Sequence, residues 1–193
     1  MSSRVAYTFF DTAIGTCGIA WGPDGIVGAS LPEESGDDLK ARFTSRHPDA
    51  REGAPPPDVQ DAIRRIQALL RGEADDLCDI ALDDTGLSDF SRRVYEMARR
   101  IPPGTTRTYG EIAKEMGGLH LAREVGQALG RNPYPIIVPC HRVLAAGGKT
   151  GGFSATGGIQ TKFRMLAIER AKTDTTPSLF DELPLAVPPR RSH

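Results

Sequence analysis

The sequence predicts an α+β protein, with a small α/β unit at its N-terminus and a mostly helical unit after it. Short segments rich in β-branched residues, separated by turn signals, fill the first 31 residues. Apolar residues at helical spacing begin near Asp58 and dominate the chain from residue 87 onward. Residues 1–86 hold 8 Lys and Arg against 16 Asp and Glu, whereas residues 87–170 hold 13 against 6. We therefore predict domains over 1–86 and 87–170, followed by a disordered proline-rich tail over 171–193.

Three strands are predicted at the start of the N-terminal unit. They are RVAYTFF, TCGIAW and IVGASL, and GPDG between the last two predicts a turn, so the three form a hairpin or meander. Residues 32–57 are polar and rich in Pro and Gly, which predicts a loop.

A helix and a further strand are predicted to complete this unit. The helix begins near Asp58, stops at Gly72 and has five apolar residues on one face: Val59, Ile63, Ile66, Leu69 and Leu70. The segment LCDIAL then predicts the strand. No catalytic constellation occurs in this half, so we expect it to support the second unit.

The second unit is predicted to contain a helix-turn-helix. A helix with an apolar stripe from Phe90 to Ile101 comes first, and TYGE at 108–111 predicts a capping box that opens another. A third carries Leu121, Val125, Ala128 and Leu129. Two short helices joined by a glycine-containing turn in a basic segment fit DNA binding, although many such pairs do not bind DNA.

A terminal helix is predicted over TKFRMLAIER. Its apolar side would hold Phe163, Leu166 and Ala167.

Composition indicates a cytoplasmic protein. No apolar run approaches the length of a membrane span, and MSSRVAYTFF lacks the basic start and long apolar stretch of a signal peptide. The three cysteines, Cys17, Cys78 and Cys140, are far apart and show neither a disulfide framework nor the pairing typical of a zinc site. We therefore expect free thiols, no metal and no membrane partner.

The basic second half suggests a polyanionic partner, with nucleic acid foremost. The alternative is that the acidic and basic halves neutralise each other across an interface. Charge alone does not choose between the two.

Cys140 is the candidate nucleophile, within the sequence VPCHRV. The apolar IIV before it predicts a buried strand, and most buried cysteines are inert. His141 and Arg142 favour the thiolate, which is the reactive form of a cysteine. Adjacent side chains on a strand point to opposite faces, however, so His141 reaches the sulfur only if the chain turns directly after Cys140.

These motifs resemble the O6-alkylguanine-DNA alkyltransferase family. PCHRV is preceded by NPxPII and ARxVG and followed by a glycine-rich loop, and the resemblance spans nearly the whole chain. It implies a ribonuclease H-like N-terminal domain and a winged-helix-like alkyltransferase domain. It also implies repair by direct reversal, in which the protein transfers an alkyl group from O6-alkylguanine, and possibly O4-alkylthymine, irreversibly to its own cysteine. No cofactor is needed.

The resemblance assigns roles to five residues of the reaction. Cys140 corresponds to the alkyl acceptor, and His141 to the residue that deprotonates it through a water. Glu169 corresponds to the carboxylate that orients the histidine, and Asn132 to the brace of the active-site turn. Tyr109 corresponds to the tyrosine that assists the leaving guanine. Each residue type has an ordinary structural explanation on its own, and only the set in family order favours catalysis.

The resemblance also implies a monomer that binds the minor groove of double-stranded DNA and flips the damaged base out. Arg123 corresponds to the arginine that replaces the flipped base in the stack. Backbone groups of Cys140 and Val143 would read the base, and Ser154 would lie near O6. Phe153 stands where many relatives have a tyrosine, in a loop longer than theirs. Further candidates for the surface near DNA are Gln127, Ala128 and Arg131.

Two other functions compete with this reading. A thiol hydrolase or transferase with a Cys-His pair would turn over a small molecule, but it leaves the basic half unexplained. A non-catalytic DNA-lesion binder of the same fold would lack the acceptor cysteine, which is present here.

Overall fold

The computed structural model describes residues 5–148 and 158–171. The predicted meander is confirmed: β1 (Ala6–Thr12), β2 (Gly15–Gly22) and β3 (Gly25–Ser30) are antiparallel neighbours. The turn before β3 requires glycine at position 25, because its φ is +132° and a Cβ there would lie 2.6 Å from the carbonyl oxygen of Ala81.

The predicted loop over 32–57 is wrong, because it contains a helix and a short strand. Helix α1 (Gly36–Arg46) begins after Ser35, whose Oγ accepts a hydrogen bond of 3.1 Å from the backbone N–H of Asp38. Its buried residues are Leu39 and Phe43, one turn apart. Two large apolar residues in a mostly polar helix give too weak a period to detect.

Strand β4 (Arg51–Glu52) pairs in parallel with β1 and completes a sheet with the order β3-β2-β1-β4. Phe43 of α1 packs its ring 5.5 Å from that of Tyr7 and 5.7 Å from that of Phe9, both on β1. Helix α1 therefore covers one face of the sheet.

Helix α2 (Pro57–Leu69) confirms the predicted helix, and Gly72 follows it with a φ of +95°. The predicted strand LCDIAL is wrong, since residues 77–82 turn and only Leu82 bridges to Ile26. The guanidinium of Arg99 donates hydrogen bonds of 2.7–2.9 Å to the carbonyls of Leu77, Cys78 and Ile80. In a sheet, these carbonyls would accept hydrogen bonds from a neighbouring strand. Here the side chain of Arg99 donates to them instead.

The helices predicted for the second half are present. They are α3 (Asp89–Arg99), α4 (Tyr109–Met116), α5 (Ala122–Gly130) and α6 (Gly158–Ile168). The capping box is confirmed, because Thr108 Oγ1 accepts from the N–H of Glu111 at 3.1 Å while Glu111 Oε2 accepts from the N–H of Thr108 at 2.6 Å. Two glycines and a 3₁₀ turn (Leu119–Leu121) join α4 to α5.

Two predictions near the end of the chain are corrected. The IIV segment is not a strand, because Ile136 has a φ of +77° and the backbone turns there. The inward side of α6 is formed by Lys162, Met165 and Leu166, whereas Ala167 is exposed and Phe163 is half-buried.

Two short strands, β5 (Arg107–Thr108) and β6 (Val143–Leu144), pair in parallel and hold the start of α4 beside the segment after Cys140. The main hydrophobic core runs through both halves of the chain, from Ile19 and Ile66 to Val94 and Ile137. No helix in the described part of the chain is long and apolar enough to cross a membrane.

Candidate active site

The chain turns directly after Cys140. A 3₁₀ turn covers Cys140–Arg142 and is closed by a hydrogen bond of 2.9 Å from the N–H of Arg142 to the carbonyl of Pro139. His141 therefore does not lie on the opposite face of a strand from Cys140, which was the geometric obstacle to their cooperation. Cys140 is 8% exposed and lines a cavity of about 520 Å³.

Asn132 holds the backbone that leads into this turn. Its Nδ2 donates to the carbonyl of Val138 at 2.9 Å, and its Oδ1 accepts from the N–H of Tyr134 at 2.9 Å. The amide of Asn132 thereby joins the backbone at Tyr134 to the backbone at Val138, across a segment that belongs to no sheet. Burial raises the pKa of Cys140, and a hydrogen bond from Asn132 is the largest influence that lowers it.

His141 and Glu169 form a buried pair behind the cysteine. His141 Nε2 lies 2.8 Å from Glu169 Oε1, and the two side chains are 1% and 3% exposed. Burial alone would raise the pKa of Glu169, but hydrogen bonds from His141 and Arg142 outweigh it and lower this pKa to about 2. The carboxylate is therefore ionised near neutral pH and accepts hydrogen bonds only.

The ionised carboxylate fixes the histidine tautomer. Because Glu169 cannot donate, Nε2 of His141 carries the hydrogen and Nδ1 keeps its lone pair. Burial lowers the pKa of His141, against the raising effect of Glu169, so the ring is neutral. Nδ1 is buried and has no hydrogen-bond partner among the described residues. A neutral imidazole with an available lone pair can accept a proton.

Arg142 binds the same carboxylate instead of acting on the thiol. Its Nε and Nη2 donate to the two oxygens of Glu169 at 2.9 and 2.7 Å, and its Nη1 donates to the carbonyl of Ile101 at 2.7 Å. The sequence predicted that the charge of Arg142 favours the Cys140 thiolate. That charge is instead neutralised by the ion pair with Glu169.

Lys162 is the cation that does act on the thiol, and the sequence interpretation missed this role. It is 1% exposed, and its Nζ donates to the carbonyl of Val143 at 2.7 Å. Burial lowers its pKa to about 8, and its charge lowers the pKa of Cys140. The sequence did contain a signal for Lys162. It precedes Glu169 by seven residues, or two helical turns, so the two residues lie on the same side of the helix.

Tyr109 lines the same cavity as Cys140. It is the first residue of α4 and is half-buried, and its ring centroid lies 6.0 Å from Nζ of Lys162. Burial raises the pKa of Tyr109, and the charge on Cys140 raises it further. The phenol therefore stays protonated and can donate.

Of the residues on and near α5 that were predicted to face DNA, three are exposed and one is buried in the core. Arg123 and Gln127 are exposed on α5, and Arg131 is exposed just beyond its end. Ala128 is 5% exposed, packs in the core and accepts a hydrogen bond from the hydroxyl of Tyr95, so it does not lie on the surface.

Val143 is also fully buried, and its carbonyl already accepts from Lys162. Phe153 and Ser154 lie outside the described residues, as does the predicted tail from residue 172 onward. Among the residues described, no group of three His, Cys, Asp or Glu side chains could hold a metal ion.

Known proteins resemble this chain in sequence and in fold. Residues 89–171 match the family model described as 6-O-methylguanine DNA methyltransferase, DNA binding domain. A Mycobacterium tuberculosis protein, OGT, solved in complex with DNA superposes with a TM-score of 0.68 and 34% identity, over 86% of this chain and 92% of that one. A Thermus thermophilus relative named DNA base-flipping protein is 42% identical over 63% of this chain and 79% of its own length.

Another relative matches over most of both chains. A Mycobacterium bovis protein named methylated-DNA–protein-cysteine methyltransferase is 35% identical over 177 residues, which are 92% of this chain and 99% of the relative. The chain therefore belongs to the family of methylated-DNA–protein-cysteine methyltransferases.

Proposed function

We propose that Cys140 is the alkyl acceptor in a single-turnover repair of O6-alkylguanine in DNA. As a member of its family, the chain repairs DNA by transferring an alkyl group to a cysteine. The observation that carries the assignment to Cys140 is the 3₁₀ turn, which presents this thiol in a cavity with a buried His141–Glu169 pair behind it. The other cysteines lack such a setting, since Cys17 lies in β2 and Cys78 is exposed.

The proton of the thiol moves first. We assign Nδ1 of His141 as its acceptor, through a bridging water, because that atom keeps a lone pair while Nε2 donates to Glu169. The imidazolium that forms is stabilised by the ionised Glu169. Lys162 favours the thiolate left behind.

The thiolate sulfur then attacks the alkyl carbon, and the bond between that carbon and O6 of guanine breaks. A thioether forms on Cys140, and the electron pair of the broken bond leaves with the guanine. We assign the hydroxyl of Tyr109 as the donor that protonates the leaving base, because its raised pKa keeps the proton in place beforehand. The carbon–sulfur bond is stable, so each molecule reacts once.

DNA binding follows from family membership, and its detail is our proposal. The base lies inside the duplex, so it must be extruded to reach Cys140, which is 8% exposed. Exposed Arg123 on α5 would fill the gap in the stack, and α5 would enter the minor groove with Gln127 and Arg131 near the backbone. The Thermus relative's name, DNA base-flipping protein, supports extrusion. We propose that a monomer carries out the repair.

We also propose a fold for each half of the chain and a cellular location. We assign the sheet-bearing half, residues 1–86, a ribonuclease H-like fold, supported by the strand order β3-β2-β1-β4 with a parallel last strand. Residues 87–170 would be winged-helix-like, supported by the helix pair α4 and α5 beside a small sheet. Three unpaired cysteines support a cytoplasmic location.

The two rival functions have weaker support. A thiol enzyme acting on a small molecule would leave the basic second half of the chain unexplained. A non-catalytic lesion binder would not require an acceptor cysteine. Here Cys140 is present, and hydrogen-bonded side chains surround it: Asn132, His141, Arg142 and Glu169.

Mass spectrometry tests the proposal directly. Incubation with duplex DNA that carries O6-methylguanine should add one methyl group per protein, on Cys140 alone, and Cys140→Ala should remain unmodified. Cys78→Ser is the matched control, because it removes the exposed thiol and should react normally. Turnover beyond one equivalent, or methylation of Cys17 or Cys78, would refute the assignment.

A further inference from the structure

The N-terminal half contributes a wall to the cavity that contains Cys140. One side of this cavity comes from the segment around Tyr109, Asn132 and Cys140. The opposite side comes from the end of β3, from Glu33 and from the last turn of α1 with Arg42, Arg46 and His47. The reaction assigned to Cys140 uses none of these N-terminal residues. We call Glu33, Arg42 and Arg46 the α1 wall.

The α1 wall is fixed relative to the acceptor side. The N–H of Ala29 on β3 donates to the carbonyl of Pro133 at 2.8 Å, which joins the sheet to the segment that carries Asn132. His47 lies against Gly28 so closely that a Cβ there would be 2.7 Å from its Nε2. Its ring also contacts that of Phe43 at 5.0 Å. The last turn of α1 is therefore anchored to β3 and, through it, to the acceptor side.

The charge that faces the cavity is positive. Glu33 is nearly buried and pairs with Arg42 at 2.8 Å, so these two charges offset each other. Arg46 is exposed at the end of α1. Partial burial lowers its pKa, the charge of Arg42 lowers it further and the charge of Glu33 raises it, so Arg46 lies near both members of that ion pair. Arg131 adds a third cation from the other side. Neither Arg46 nor Arg131 forms an ion pair with a carboxylate of the described chain.

Arginine in this setting is suited to binding an oxyanion. Its planar guanidinium matches carboxylate and phosphate groups with two parallel hydrogen bonds. A damaged nucleotide offers such a group in two places, in its backbone phosphate and, for some alkyl lesions, in a carboxylate at the end of the alkyl group. In the second case the thiolate must approach a carbon next to another negative charge, and a nearby cation reduces that repulsion.

We propose that the α1 wall, through Arg46, is an anion-recognising subsite of the acceptor cavity that binds an oxyanion of the damaged nucleotide. This rests on the proposed function of Cys140. The N-terminal half would thus select substrates as well as support the fold, and removal of the Arg46 charge would slow transfer only from substrates that present the anion.

Four substrates separate the two sources of the anion. They are O6-methylguanine and O6-carboxymethylguanine, each as the free base and within a DNA duplex. Single-turnover rate constants are measured by mass spectrometry of Cys140 for the wild type and for Arg46→Gln and Arg46→Lys. Lys40→Gln is the matched control, because Lys40 is an exposed cation on the same helix that does not line the cavity.

The expected result is a loss of about three- to fivefold for Arg46→Gln, as for a solvent-exposed ion pair. The loss should be confined to the two carboxymethyl substrates if the anion is the alkyl carboxylate, or to the two duplexes if it is a phosphate. Arg46→Lys keeps the charge but loses the two parallel hydrogen bonds, so its rate should fall between those of Arg46→Gln and the wild type. Lys40→Gln should match the wild type. Equal slowing of all four substrates, no slowing, or the same pattern in Lys40→Gln would overturn the subsite. A wild-type protein that leaves Cys140 unmodified by every substrate would instead refute the proposed function, and the subsite with it.

Discussion

Nε2 of His141 lies 2.8 Å from Oε1 of Glu169, and Arg142 binds both oxygens of the same carboxylate. All three side chains are almost fully buried. The carboxylate therefore serves two purposes, since it orients the histidine and neutralises an arginine that could not otherwise be buried.

Glu169→Gln should slow alkyl transfer by about 100-fold or more, which is the range of general acid–base catalysis. The neutral amide can still accept a hydrogen bond, but it no longer stabilises the imidazolium that forms at His141. The measurement is the single-turnover rate constant on duplex O6-methylguanine. Glu115→Gln is the control, because it makes the same change at an exposed ion pair with Arg107.

The variant also leaves Arg142 buried without its partner, so the folded fraction must be measured in parallel by urea unfolding. Loss of one member of a buried pair costs about 3–5 kcal/mol. A folded Glu169→Gln protein that repairs DNA at the wild-type rate would contradict the role assigned to Glu169.

The same carboxylate should make stability depend on acidity. Its pKa is about 2 in the folded protein against 4.5 ordinarily, so the folded state binds this proton less readily than the unfolded chain. The contribution to the free energy of unfolding is fully present above about pH 4.5 and is lost as pH falls towards 2. Its size is on the order of 3 kcal/mol.

Urea unfolding of the wild type and of Glu169→Gln at several pH values between 5 and 2 measures this contribution. The difference in unfolding free energy between the two proteins should shrink as pH falls, because a protonated Glu169 resembles glutamine. A difference that stays constant across this range would mean that the pKa of Glu169 is not lowered in the folded state.

Lys162→Met should raise the pKa of Cys140, because it removes a positive charge that lowers this pKa. The measurement is the pH dependence of Cys140 modification by iodoacetamide in a Cys78→Ser background. Cys17 does not compete, because burial raises its pKa to about 12. Lys162→Arg keeps the charge and should shift the profile less.

The control for Lys162→Met is the same change at Lys114, which is exposed on α4. This variant should leave the pKa of Cys140 unchanged. A profile for Lys162→Met that coincides with the wild type would show that Lys162 only supports the carbonyl of Val143.

The parts of the fold that were predictable from the sequence depend on local signals. Thr108 and Glu111 satisfy each other's backbone groups within four residues, so the capping box is readable without a structure. The strand meander is likewise a matter of alternation and turn residues. The candidate residues around Cys140 required the family resemblance, because the pairs that they form lie up to 28 residues apart in the chain.

The features that were missed depend on distant partners. The IIV segment has the composition of a strand, but Asn132 binds the carbonyl of Val138 and the positive φ of Ile136 turns the chain. Lys162 was assigned no role from the sequence. Lys162 is buried against Val143, 19 residues away. Its spacing from Glu169 indicates that the two residues share one side of the helix, but periodicity does not identify the carbonyl that Lys162 binds.

Arg123→Ala should slow repair in duplex DNA and leave the reaction with free O6-methylguanine unchanged. Arg123 is exposed on α5 and belongs to no part of the Cys140 site, so its loss should affect base extrusion rather than alkyl transfer. Extrusion costs a few kcal/mol, so loss of the group that holds the stack open should slow the duplex reaction by about tenfold or more.

The two rate constants are compared with those of Arg64→Ala, which removes an exposed arginine from α2, outside α4 and α5. That control should react normally with both substrates. Equal slowing of Arg123→Ala on the free base and on the duplex would mean that the substitution disturbs the acceptor site itself, and Arg123 would then have no specific part in opening the duplex.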